Sequence, residues 1–338
     1  MARAHYRSRD GGTTEMDLTI ERLFASPDHY LFAFEGDRAI FRTMDRDAYH
    51  RSIFLDRRIA ALTDEEVRVP VAALTAGDIA VPRIAWIFHV AHCGSTLLAR
   101  ALDRPDRNLV LREPRPLRQL GLTRVAADGD WRARLRLAAA LAGRRYRPNL
   151  PTIVKGNVPV NFIAADLLGL DPGAPAILLY FPLRAYLLAV LRSPAHRQWV
   201  VNVTTQLGIA GVSGVDVAER AAALWLTQMR LYAELLAEYP SVRSLHADEL
   251  LDAPRPALAA AAAHFGADAD LDADELLTTY SKVPGQAFDN EARLRLRAEA
   301  AAMLGPEIAC ARRWLEGRPL PPRLERPLVG ASPPLLDD

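Results

Sequence analysis

The sequence predicts an α/β fold: a mostly parallel five-stranded sheet flanked by helices, with a small β-rich elaboration at its N-terminal side. Three observations predict it. Five short apolar runs recur along the chain, "AWIFHV" (85–90), "NLVLRE" (108–113), "TIVKG" (152–156), "AILLYF" (176–181) and "SVRSLH" (241–246). Each is apolar with little alternation, as expected of strands covered by helices on both faces. Between them lie segments with helical periodicity, and the first run stops at the small polar turn "HCGST" before restarting as a helix.

Taken in order, residues 1–15 carry no apolar pattern and are expected to be disordered. Residues 16–80 form the N-terminal elaboration. There "HYLFAFEGDRAIFRTM" (29–44) alternates around Glu35-Gly36-Asp37 and predicts a β-hairpin. The apolar segment "SIFLDRRIAAL" and the loop "TAGDIAVPR" then lead into a main α/β domain over 81–317. Its helices are "STLLARALD", about 131–142, 159–169, 183–192 and the long 217–238. In the last, Asp216 and Glu219 are spaced as a capping box. Leu224, Trp225, Met229, Tyr232, Leu235, Leu236 and Tyr239 recur on one face, a core stripe rather than a cofactor box. "PALAAAAAHFG" and "NEARLRLRAEAAAML" read as further helices, and 318–338 as a proline-rich extended tail.

Composition narrows the function. The 338 residues are half apolar, enough for a full core in one large domain or two modest ones. A net charge of +1 gives no field that predicts nucleic acid or an anionic membrane as a partner, so any anion must be held locally. Two cysteines, Cys93 and Cys310, make no disulfide framework and fit a reducing compartment. The N-terminus has positive charges without an apolar core behind them, unlike a signal peptide. The longest apolar stretch, "APAILLYFPLRAYLLAVL", is broken by Pro182 and Arg184. A cytoplasmic, non-membrane protein is the expectation.

The turn after the first strand carries the most chemistry. Ligands of such sheets sit at the C-terminal ends of the strands. A glycine there lets backbone N–H groups converge, the next helix adds the positive end of its dipole, and Ser95 and Thr96 add hydroxyls. The plain alternative is that Ser95 or Thr96 only caps the helix. A nucleoside-triphosphate loop would need G-x-x-x-x-G-K-[ST], and here His89 and Ser95 stand at the first Gly and the Lys. A cysteine phosphatase would set an Arg six residues after the cysteine of His92-Cys93, whereas Arg100 lies seven on. A metal on His89, His92 and Cys93 lacks any second ligand cluster.

"FHVAHCGSTLLARALD" followed by "LREP" resembles the sulfotransferase family. "TIVKGN" is similar to that family's lysine-bearing strand end, and "LHADELLDAPRPALAAAAAHFG" and "YSKVPGQAFDNEAR" resemble its C-terminal segments, in order, over residues 84 to about 300. The resemblance implies a P-loop-like fold and transfer of a sulfuryl group from 3′-phosphoadenosine 5′-phosphosulfate to a hydroxyl or amine, without a metal. It places the donor's phosphosulfate on His92, Cys93, Gly94, Ser95, Thr96 and Leu97, with His92 where the family has a permanent cation. It makes Glu113 the base, with His92 and Lys155 steadying the transferred group; Asn157 stands where some members carry a histidine base. The family's Arg and Ser for the 3′-phosphate match Phe181 and Ala189, leaving Arg184, Arg192, Ser193, Ser281 and Lys282 as substitutes.

Plainer readings stand beside these: His92 as a neutral loop histidine, Glu113 within a surface ion-pair cluster with Arg112 and Arg115, and the arginines of "LRAYLLAVLRSP" as a solvated helix face. A divergent nucleotide kinase and a non-catalytic anion- or partner-binding module are the alternative functions. The expected acceptor is a small molecule whose pocket the N-terminal hairpin and a loop after Trp199 would shape.

Overall fold

A computed structural model describes residues 19–104, 106–124, 129–212, 214–267 and 290–336. Eight strands are described: β1 (His29–Glu35), β2 (Arg38–Thr43), β3 (Glu66–Pro70), β4 (Ile84–His89), β5 (Leu109–Arg112), β6 (Thr152–Lys155), β7 (Ala176–Tyr180) and β8 (Val242–His246). The first three form an antiparallel sheet, and the other five a parallel sheet in the order β5-β6-β4-β7-β8, flanked by helices. The five expected strands of the main sheet are all present. They are buried along most of their length, which explains why apolar residues dominate β4, β5 and β7.

The chain divides into two compact units. The first is built from residues up to 87, from 102–175 and from a short stretch beginning at 262. In its hairpin, Glu35 pairs with Arg38 across a two-residue turn, and Gly36 takes φ +56° at the first turn position. That position is left-handed in tight hairpins, which is why glycine occupies it. The register slips between Leu31 and Ala33, a bulge centred on Phe32. β3 was not expected from sequence: only Val67 and Val69 face inward from this short, charge-flanked segment. The helix expected at 159–169 is two short ones, Val158–Asn161 and Ala164–Leu168.

One buried cation holds much of this unit. Arg144 donates from Nη1 to the carbonyls of Leu23 and Ser26, from Nη2 to His29, and from Nε to Leu141. It thereby ties the helix Ile20–Ala25 and the start of β1 to the end of the helix Gly129–Ala142. At the outer side of β5, the Leu55 N–H donates to Arg112 O and the Leu55 carbonyl accepts from Arg115 N–H.

The second unit comprises 88–101, 176–261 and the C-terminal part of the chain. Its long helix, Val217–Glu238, opens with the expected capping box, and every residue of the expected core stripe is buried. Trp225 donates its indole N–H to Phe181 O at 2.9 Å. The expected loop after Trp199 is instead the interior of a helix, Pro194–Gln206. Ser193 is its N-cap, and Pro194 fills the first turn, where its missing N–H costs nothing. The proline-rich segment near the C-terminus lies along β8: Ser244 N–H donates to Arg326 O and Leu328 N–H to Ser244 O. Leu324 and Leu335 are fully buried there. No helix among the described residues is long and apolar enough to cross a membrane.

Candidate functional site

Two clusters of the expected site residues form, one in each unit. In the first unit, β6 ends on Lys155, an ammonium at the end of a fully buried strand and only 1 % exposed. Burying that charge is costly unless it is paired. Its partner is Glu113, with Nζ 2.5 Å from Oε1. Glu113 follows the last residue of β5, and its N–H donates to Lys155 O at 2.7 Å, extending the strand pairing by one residue. The backbone at Glu113 turns left-handed, φ +56°, which a side chain other than glycine adopts at a cost of roughly 1–3 kcal/mol. The turn leaves the carboxylate one-fifth exposed while its neighbour is buried.

Phe54 forms a wall of this cluster. Lys155 Nζ lies 5.2 Å from its ring centroid, and the Arg58 guanidinium lies 4.2 Å from the same ring. Arg58 is also forked onto Asp56. Burial works to raise the Asp56 carboxyl, but the hydrogen bonds from Arg58 outweigh it and hold the carboxyl below its ordinary range.

Arg112 does not belong to a surface ion-pair cluster. It is buried, pairs with Asp103 at 2.9 Å and donates to the carbonyls of Tyr49 and His50. Its work is structural, fastening the helix Arg46–Arg51 to β5. Arg115 lies over the ring of Phe32 at 4.9 Å.

The second cluster surrounds the turn after β4. Val90 N–H donates to Leu179 O, and then Ala91, His92 and Gly94 all take left-handed φ of +78°, +51° and +84° before the helix Ser95–Ala101 begins. Two non-glycine residues in that region, one after the other, store strain of the kind that marks binding turns. Gly94 suits its left-handed φ, and a Cβ there would lie 3.3 Å from the side-chain ends of Leu250 and Leu251, which would have to shift by a few tenths of an ångström. Ser95 and Thr96 are buried at the helix start, with Leu97 half-buried after them.

Around this turn the side chains diverge. Cys93 is buried with its thiol 3.8 Å from Leu179 O, and His89 Nδ1 accepts the Ala91 N–H. His92 points elsewhere, so these three do not gather as metal ligands. Among the described residues, ligand-type side chains converge at Asp216, Glu219 and Cys310, where the two carboxylates already close the capping box.

His92 packs instead on a residue that sequence reasoning missed. Its ring centroid is 4.2 Å from that of His196, and Trp199 meets it edge-on at 5.5 Å. His196 Nε2 lies 3.2 Å from Arg192 Nη2, and Nδ1 lies 2.5 Å from Ser193 Oγ. A guanidinium can only donate, so Nε2 accepts and the imidazole proton is assigned to Nδ1, pointing at the serine. Arg192, Ser193 and His92 thus meet through His196. The signal was available: Ser-Pro starts a helix, which puts His196 and Trp199 three residues apart on one face.

His196→Ala is expected to free the His92 ring and weaken binding of an anion at this turn about tenfold. His196→Gln should restore part of that loss, because its amide can accept from Arg192. Calorimetric titration with pyrophosphate checks both, and equal affinity in all three proteins would refute the arrangement.

Arg184 is half-buried in the first turn of the helix Leu183–Val190. Phe181 is buried edge-on to His246, with the guanidinium of Arg297 5.9 Å from its ring. Arg297 and Arg293 both reach Asp248, a further group that sequence reasoning missed. Ser281 and Lys282 lie outside the described residues.

No family model matches the chain, and no curated protein does. Among solved structures, it is similar to a sulfotransferase from Alicyclobacillus acidocaldarius, at 13 % identity and a TM-score of 0.35, over 69 % of this chain and 94 % of that one. It is likewise similar to the sulfotransferase domain from the curacin biosynthetic pathway, at 10 % identity and a TM-score of 0.35, over 67 % and 98 % of the two chains. Likenesses at that score carry no argument about activity.

Proposed function

We propose that the chain is a sulfotransferase that moves a sulfuryl group from 3′-phosphoadenosine 5′-phosphosulfate to a hydroxyl or amine of a small-molecule acceptor. The observation that supports it most is the Glu113–Lys155 pair: a carboxylate held on a left-handed turn at a strand end, locked to a buried ammonium. In this reading Glu113 takes the acceptor proton as the acceptor oxygen or nitrogen attacks sulfur. The bond between sulfur and the bridging phosphate oxygen breaks, and 3′-phosphoadenosine 5′-phosphate leaves. Lys155 orients Glu113 through their close ion pair. The turn from Ala91 to Thr96 holds the phosphosulfate with its N–H groups, its hydroxyls and the helix N-terminus, and preorganised donors of this kind supply most of the stabilisation in such transfers. His92, Arg192 and Ser193 form the rim. The transfer has no γ-phosphate to grip, which agrees with Ser95 standing where a triphosphate loop has lysine.

Calorimetry with 3′-phosphoadenosine 5′-phosphate, against ATP and GTP with magnesium, tests this. The adenosine bisphosphate should stabilise the fold by about 2.7 kcal/mol at a hundredfold excess over its Kd. Stabilisation by a triphosphate with magnesium alone would overturn the reading in favour of a nucleotide kinase. A second reading, a non-catalytic anion-binding module, is favoured by the buried Phe181 at the end of β7. Binding of the bisphosphate without turnover on a broad acceptor panel would support it.

A further inference from the structure

We propose that Arg58 selects the acceptor, stacking the outward face of its guanidinium on a flat aromatic ring that carries the reacting hydroxyl or amine. This selectivity rests on the transferase reading above and gives its acceptor a shape. Arg58 and Lys155 border one ring: their charged ends lie 4.2 and 5.2 Å from the centroid of Phe54, and Lys155 holds Glu113. Hydrogen bonds to Asp56 raise the Arg58 pKa most, and the charge of Glu113 adds to the rise, so the base and the guanidinium act on one small patch.

The loop that carries Arg58 is braced. Ala60 N–H donates to Ser52 Oγ at 2.9 Å, and Ser52 Oγ donates to Ala48 O, closing the neck of the loop. Inside it, Leu55 is held by Arg112 and Arg115 beside β5, and the Tyr30 hydroxyl donates to Leu55 O at 3.0 Å. Asp56 then fixes Arg58, accepting its backbone N–H and Nε on Oδ1 and its Nη2 on Oδ2. That fork decides the class of ligand. Asp56 cancels the charge of Arg58 as Glu113 cancels that of Lys155, so an anionic body finds no surplus cation among these four groups. The Asp56 carboxylate engages the edge of the guanidinium and leaves its planes. Phe54 lies against one, and the other faces water in a side chain 62 % exposed. A planar, weakly hydrated cation so placed stacks on aromatic faces, whereas an aliphatic body of the same size gains only ordinary contact.

The probes are 2-naphthol and decahydro-2-naphthol, which share a skeleton and a hydroxyl and differ in aromaticity. Ligand-observed NMR titration of the full chain should give a Kd about threefold to fivefold lower for the naphthol. Arg58→Met should erase that preference and leave the Kd of the saturated alcohol within about twofold of its parent value. Arg57→Met, at the exposed neighbour, should keep the preference. Equal affinity for the two alcohols in the parent chain, a preference that survives Arg58→Met, or one lost equally in Arg57→Met would each overturn the role of Arg58. Titration with 3′-phosphoadenosine 5′-phosphate separates this role from the reading beneath it. A naphthol preference without binding of the bisphosphate keeps the stacking site and removes the transferase. Bisphosphate binding without a naphthol preference leaves transfer standing and overturns Arg58 as the selector.

Discussion

Glu113→Gln is expected to lower kcat by about a hundredfold to ten-thousandfold, the contribution typical of a positioned general base. The amide keeps the size of the side chain and an oxygen for Lys155 to donate to, so the left-handed turn and the ammonium retain their places. It cannot accept the acceptor's proton. Binding of 3′-phosphoadenosine 5′-phosphate, which the reading assigns to the turn Ala91–Thr96, should be unchanged. Release of that product from the donor is the measurement; turnover within twofold of the parent would remove Glu113 as the base. Lys155→Met is informative beside it. Removing one partner of a buried pair commonly costs about 3–5 kcal/mol, but here Glu113 keeps one-fifth of its surface in water, so the loss should fall at or below the lower end.

Arg144→Ala should be among the most destabilising single changes in the chain, lowering stability by about 3–5 kcal/mol. The guanidinium donates to the carbonyls of Leu23, Ser26, His29 and Leu141, and its removal leaves those acceptors without that donor in a buried setting. Each such loss costs about 1–3 kcal/mol, less whatever water can enter. Burial pushes the guanidinium pKa down, yet arginine remains charged, so lysine is no substitute: one ammonium cannot reach carbonyls on three separate segments. Urea unfolding followed by circular dichroism measures the effect. A loss under about 1 kcal/mol would show that the carbonyls find other partners.

The elements legible in the sequence were those whose burial is complete or whose ends are chemically marked. The main strands announced themselves because helices cover both faces, and the helix Val217–Glu238 because Asp216 and Glu219 cap it. Two helices are hidden by their own prolines. Pro116 and Pro194 invite reading as breaks, yet both sit in a first helical turn, so the helices Arg115–Leu122 and Pro194–Gln206 were overlooked. β3 has two inward residues, too few for a period to show. In the candidate site, Glu113 and Lys155 stand out through the family resemblance of "LREP" and "TIVKGN" at two strand ends, but that they form one pair depends on β5 and β6 being neighbours, which no local pattern encodes. His196 was lost with its helix. Arg144 looked like one charge among many, because nothing in a sequence reports which cation will meet four carbonyls.

The main sheet has two outer strands, β5 and β8, and each would expose a row of unpaired backbone groups. Such rows recruit strands from other molecules and are the usual seeds of aggregation. Here each is intercepted by a short irregular piece of the same chain, Leu55 beside β5 and Arg326–Leu328 beside β8. Neither piece is long or regular enough to offer a fresh template on its far side. The segments flanking the sheet in sequence thus act as guards against lateral growth, a service to solubility that the protein's modest net charge does little to provide.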